Sequence, residues 1–199
     1  MGFRFLLVVP LLLLSSLPRA WGDEVEEQIR QGAKVYASGQ YTDAIQQLQF
    51  AIAQIQEKLN AGYLALLPEP LAGWQADPPE AQTTVALVGG GTQVSRHYHR
   101  DDGQEVTLEL TIDSPLLQSL NLTLANPALL SSDPTAKLYQ LDGAFRGILH
   151  REEGALVIDL AIGSRVMIKA TGQNLKDIKP LEAYLKALDP QKVIAKVDN

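Results

Sequence analysis

The chain contains no cysteine. That absence excludes a disulfide scaffold, a thiol nucleophile and the attachment cysteine of a lipoprotein. A small secreted eukaryotic domain is more often stapled by disulfides, whereas a bacterial envelope protein with a large enough core does without them, so the composition favours the periplasm. Basic charge is also in short supply, with 17 Lys and Arg against 23 Asp and Glu and a net charge of −6. Binding a phosphate backbone demands a basic face, so no nucleic-acid partner is expected. Long apolar runs are missing too: the run from Phe5 to Leu14 falls well short of the roughly 20 residues that cross a bilayer core.

That run follows Arg4, gives way to Ser15, Ser16 and Pro18, and is succeeded by the small Ala20 and Gly22 just before Asp23. The order of positive, apolar and small residues reads as a secretory signal peptide over 1–22. Its removal takes away Arg4 and Arg19 but no acid, leaving 15 basic residues against 23 acidic ones and a net charge of −8. The expected mature chain is soluble and periplasmic, with no membrane span after signal cleavage.

Residues 23–67 read as a helical hairpin. Val25, Ile29, Ala33 and Tyr36 recur at spacings of three and four until Gly39 ends the first helix. In the second, Tyr41, Ala44, Ile45, Leu48, Ile52, Ile55 and Leu59 form one stripe of near-heptad spacing, which must be buried against something. Pro68, Pro70, Pro78 and Pro79 mark 68–82 as a linker, because proline fixes φ and removes a donor. Trp74 is its large apolar anchor, expected to tuck into the neighbouring domain.

From residue 83 the period becomes two. Strands are expected over 84–88, 93–100, 105–112, 137–141, 144–151, 155–162 and 165–171, several joined by tight Asp-Gly, Glu-Gly and Gly-Ser connections that imply antiparallel hairpins. A helix opens with Ser114 as its cap, Pro115 at its first position and Leu116, Leu117, Leu120 and Leu124 on one face. Another, 178–188, buries Leu181, Tyr184, Leu185 and Leu188 before Pro190, leaving 190–199 as a C-terminal tail. The expected class is α+β: an N-terminal antiparallel helix pair, then over 83–189 a mainly antiparallel sheet of about seven strands with two helices packed on one face.

The stretch with most chemical promise is GGGTQVSRHYHRDDG, Gly89 to Gly103. A phosphate loop must open a helix, and here a strand follows, without the required glycine spacing or a Lys-Ser/Thr pair. The glycines are better explained as a turn. Asp101-Asp102-Gly103 suits a three-residue hairpin loop, which sets Tyr98 opposite Val106, Arg96 opposite Leu108 and Val94 opposite Leu110. His99 then faces Glu105 and His97 faces Thr107 on the other, solvated side. A two-residue loop would mix polar and apolar residues on both faces, since a one-residue slip turns every side chain over. His97, His99 and Glu105 remain a weak candidate set for a divalent ion; the third histidine, His150, is on a distant strand.

Serines fall in no Gly-x-Ser-x-Gly elbow, and carboxylate pairs such as Asp101-Asp102 and Glu152-Glu153 fall at hairpin tips. No catalytic residue and no cofactor is therefore expected.

AKVYASGQYTDAIQQLQFAI, Ala33 to Ile52, is similar to one tetratricopeptide-type helix pair, though a solenoid needs about three copies and only one is present. Together with LPEPLAGW, GGGTQVSRHY, IDSPLLQSL, NPALL, LDGAFRGILHREEGALVIDLAIGSRVMIKATGQN and LEAYLKALD, the chain resembles a family of uncharacterised exported bacterial proteins. These pair such a hairpin with a small α+β domain. The resemblance implies an architecture and an envelope location, and no substrate. The leading expectation is a non-enzymatic interaction module that meets a protein partner, or a second copy of itself, through the hairpin. The alternatives are a divalent-metal-binding envelope protein using His97 and His99, and a binder of a small apolar ligand or lipid between the sheet and the helix after Ser114.

Overall fold

The structure, a computed structural model, describes residues 24–83 and 91–198. The expected leader, 1–22, and the strand expected over 84–88 lie outside the described residues. Two compact units divide the chain, one reaching to Ile55 and the other starting at Gln56.

The first unit holds α1 (Glu24–Ala37) and most of α2 (Tyr41–Leu64). Glu24, Glu26 and Glu27 occupy the first turn of α1, where negative charge meets the positive end of the helix dipole. Gly39 turns the chain at φ +80°, a conformation glycine adopts without steric cost. The hairpin is present as expected, but only part of the expected stripes, Val25, Ala44 and Leu48, lies in its seam. Val25 and Gly32 of α1 are buried, with Gln28 and Val35 half-buried, and α2 answers with Ala44 and Ala51. A Cβ at Gly32 would stand 2.8 Å from Leu48 Cδ2. Gly32 therefore makes room for Leu48 of α2, and the small Ala44 and Ala51 let the backbones come close on either side of it. Of the stripe expected on α1, Ile29 and Tyr36 are 43% and 63% exposed.

The second unit is built on an eight-stranded sheet. Its strands are β1 (Gln75–Ala76), β2 (Glu80–Thr83), β3 (Thr92–His99), β4 (Glu105–Ile112), β5 (Lys137–Leu141), β6 (Phe145–Glu152), β7 (Ala155–Ile162) and β8 (Val166–Gln173). Their order is β1-β3-β4-β8-β7-β6-β5, every pairing is antiparallel, and β2 joins β1 in pairing with β3. Both short strands come from the Pro-rich segment read as a linker. The turns follow the chemistry of their residues: Glu153 and Gly154, φ +50° and +88°, are the two residues between β6 and β7, the paired positive values of a hairpin turn whose twist matches the strands, and Asp142 and Gly143, φ +49° and +73°, repeat them in the three-residue connection of β5 and β6.

Alternation splits the sheet into two faces. Val106, Leu108, Leu110 and Ile112 of β4, and Val166, Ile168 and Ala170 of β8, point to one side and are buried. Two helices pack there, α4 (Lys179–Leu188) through Leu181, Tyr184, Leu185 and Leu188, and α5 (Pro190–Val197) through Val193 and Val197. The residues expected as a tail thus form α5: Asp189 ends α4 at φ +55°, and Pro190 restarts a helix at its first position, where its missing N–H costs nothing.

The helix after Ser114, α3 (Leu116–Ala125), lies on the opposite face, against β6, β7 and β8. Ser114 Oγ accepts the Leu116 N–H at 3.2 Å, the capping role expected of it. The α+β class holds, with α4 and α5 sharing a face; α3, expected beside α4, goes to the other. Met167 interrupts the polar pattern of that face and lines a cleft with Leu116 and Leu120; Leu117, Leu120 and Leu124 are the buried side of α3.

Candidate functional site

The hairpin of β3 and β4 adopts the three-residue register. Arg100 and Gln104 close the loop by an N–H to C=O bond of 3.0 Å, and Gly103 takes φ +80°. Tyr98 pairs with Val106, Arg96 with Leu108 and Val94 with Leu110, while His99 pairs with Glu105 and His97 with Thr107. Gly91, φ +124°, leads into β3 and not a helix, and a Cβ there would lie 2.6 Å from Ile112 O. It is a point of close backbone approach; Gly89 and Gly90 lie outside the described residues.

Arg96 sits on the core face with only 12% of its side chain exposed. Its guanidinium donates to Pro68 O at 2.9 Å, Asp77 O at 3.1 Å and Glu69 Oε2 at 3.3 Å. The Tyr98 hydroxyl donates to the same Pro68 O at 2.8 Å, and burial pushes that hydroxyl far above the ordinary tyrosine range. A planar donor fork suits several acceptors at once, so one core-facing arginine straps the linker along the edge of β3. Trp74 completes the strap by packing edge-on to Tyr184 at 5.4 Å, with Arg100 over its ring at 5.6 Å.

The strap delivers Asp77 to the histidines. Its N–H donates to His97 O at 3.0 Å and its carbonyl accepts from Arg96, so its peptide is held from both sides, and Pro78 narrows its backbone freedom further. Its Oδ2 lies 2.9 Å from His97 Nδ1. The imidazoles of His97 and His99 stack at 5.7 Å with a 20° interplanar angle. Among the described residues, Asp77, His97 and His99 bring one donor atom each within 4.8 Å of one another. Glu105 stands at the other side of the His97 ring, with Oε2 3.6 Å from Nε2. Asp77 was not a candidate in the sequence; the signal available was an acid locked before two prolines, and only the sheet edge shows what it reaches.

A second cluster lies where a ligand was expected between α3 and the sheet. A cleft of about 380 Å³ is lined by Leu116, Ser119, Leu120, Thr123 and Met167, and by His150, Glu152, Asp159 and Lys169. Its walls are apolar at Leu116, Leu120 and Met167 and charged at Glu152, Asp159 and Lys169. Lys169 Nζ bonds Glu152 Oε2 at 2.6 Å, an ion pair that holds the carboxyl below and the ammonium above its ordinary range. Asp159 lies 3.6 Å from His150 Nδ1. Burial raises its carboxyl above the usual range, against the pull of His150 and Lys169.

The third feature is the outward side of α2. Tyr41, Ile45, Ile52, Ile55 and Leu59 are between 39% and 61% exposed; Leu48, in line with them at alternating intervals of four and three, leans against Gly32 of α1. Tyr36 of α1 adds its ring 5.4 Å from that of Tyr41. Among the described residues, no helix is long and apolar enough to cross a membrane. No protein family, curated protein or solved structure matches the chain.

Proposed function

We propose that the chain is an exported, non-enzymatic interaction module whose hairpin pairs with a second copy of itself. One observation carries this reading: Tyr41, Ile45, Ile52, Ile55 and Leu59 of α2 stand exposed outside the seam with α1, which takes up Leu48 from the same stripe. Contiguous exposed apolar surface of this kind marks an interaction site. Its 3.5-residue period is that of a seam between helices, so another helix is the complementary partner. The positions beside the stripe, Thr42, Gln49 and Gln56 on one side and Ala44, Ala51 and Lys58 on the other, lack the runs of like charge that would oppose pairing with an identical helix. A lone tetratricopeptide-like pair also lacks the neighbouring repeats that cover such a face in a solenoid. The leader read over 1–22 supports a periplasmic setting, and the mass of the exported form tests its cleavage.

Sedimentation velocity of the full chain tests the pairing. The wild type sediments as a dimer at micromolar concentration, and Ile45→Glu/Ile52→Glu, two exposed sites outside the α1 seam, sediments as a monomer with unchanged far-UV circular dichroism. A wild type that stays monomeric at 100-fold higher concentration removes the proposal.

A further inference from the structure

We infer that Asp77, His97 and His99 form a binding site for a divalent transition-metal cation of the zinc class, with Glu105 as the residue that orients His97. This goes beyond the pairing of α2 and does not depend on it. Histidines two apart on a strand point the same way, and imidazole suits zinc, copper and nickel. Two histidines and a carboxylate are a common zinc ligand set, with a water in the fourth position.

The geometry is close to what an ion requires. Zinc bonds of about 2.0–2.1 Å place tetrahedral donors about 3.3 Å apart, and the three donor atoms already lie within 4.8 Å. The 2.9 Å contact from Asp77 Oδ2 to His97 Nδ1 opens by a few tenths of an ångström to admit the ion. His99 closes the remainder by rotation of a half-buried ring. The backbone need not move: β3 is paired along both edges, and Asp77 is bonded to His97 O and to Arg96.

The surroundings favour a cation. Arg96 and Arg100, the basic residues of this strand end, lie on the other face, bonded to the linker and stacked over Trp74. On the ligand face stands Glu105, 3.6 Å from His97 Nε2. With Nδ1 on the metal, Nε2 carries the proton and faces Glu105 across 3.6 Å, a small side-chain rotation away from the outer carboxylate contact that metal-bound histidines ordinarily make.

Calorimetric titration of the full chain with zinc chloride, in buffer free of chelators, tests the site. The expected result is one zinc per chain, with affinity lowered at least about tenfold in Asp77→Asn, His97→Gln and His99→Gln. Glu105→Gln loses about 10–100-fold, the usual cost of an outer partner, while His150→Gln keeps the wild-type affinity. Zinc should also raise the melting temperature of the wild type and leave that of His97→Gln/His99→Gln unmoved, with circular dichroism confirming that each variant is folded. Wild-type protein that takes up less than one zinc, or a folded double variant that binds zinc as the wild type does, overturns the assignment.

Discussion

Replacing Arg96 by methionine probes the strap on which the edge of the sheet depends. Methionine keeps the apolar stem beside Tyr98 and deletes the donors to Pro68 O, Asp77 O and Glu69. The Glu69 carboxylate is 86% exposed, so its ion pair contributes little. The two carbonyl bonds are charge-assisted, a class worth about 1.5–3 kcal/mol each; the one to Asp77 is open to water and counts at the low end or below it. Pro68 O keeps the Tyr98 hydroxyl at 2.8 Å, so that carbonyl is not orphaned. The expected loss is about 2–3 kcal/mol, or about 4–12 °C in melting temperature for a chain of this size. Urea denaturation followed by circular dichroism measures it. Arg96→Lys should lose most of the same amount, because an ammonium keeps the charge and not the fork. Tyr98→Phe alone costs about 1 kcal/mol. The double variant leaves Pro68 O with neither donor and should lose more than the sum of the singles, since residues sharing a partner do not add. A loss below about 0.5 kcal/mol for Arg96→Met, or strict additivity in the cycle, would refute the claim that this arginine holds the linker.

Two further predictions concern acidity. Burial raises the folded-state Asp159 carboxyl above its ordinary range, so as pH climbs past the unfolded value the unfolded chain releases its proton first and stability falls until the folded carboxyl ionises as well. Asp159→Asn removes that cost: denaturant unfolding should find the variant more stable than the wild type at pH 7 and equal to it near pH 3, and a variant less stable at pH 7 would contradict this reading. The Asp113 carboxyl is held below its usual range by the hydrogen bonds from Arg165, both at 2.7 Å. Its contribution is therefore present above the unfolded value and disappears as pH falls through the folded one. With half of the Asp113 side chain exposed, Asp113→Asn should cost less than about 1 kcal/mol at pH 7, the difference vanishing in acid; a difference that persists at pH 2 would show that another interaction was lost.

The hairpin of β3 and β4 was the most legible part of the fold. Val106, Leu108 and Leu110 alternate with Thr107 and Glu109, and only one register buries all of the apolar members together with Val94 and Tyr98. A period of two admits no other solution once one face must be dry. The helices were legible as helices and less so as packed bodies. For α1 and α2 the expected stripes contributed Val25, Ala44 and Leu48 to the seam, yet Gly32 and Ala51 complete it while Ile29, Tyr36, Ile45 and Ile52 stay exposed. Periodicity weighs side-chain size, whereas close approach of two backbones selects its absence. For α3, three of the four residues expected on the stripe, Leu117, Leu120 and Leu124, are buried and Leu116 is 60% exposed, but a stripe does not say which face of a sheet will receive it.

The candidate site was half legible for a related reason. His97 and His99 lie on one strand, and their common direction follows from the strand alone. Asp77 reaches them from the linker, which β1, the bond to His97 O and Arg96 hold to β3; Arg96, one residue away from His97 and pointing to the opposite face, binds the carbonyls of Pro68 and Asp77. A residue that helps to assemble the cluster therefore contributes no donor to it. Neighbours on a strand act on opposite sides of the sheet, so alternation couples the core-facing strap to the solvent-facing histidines. If that coupling is real, Arg96→Met should weaken zinc binding without touching any ligand, by freeing the Asp77 peptide on one side. Unchanged zinc affinity in that variant would mean that Pro78 and the bond to His97 O suffice to place Asp77.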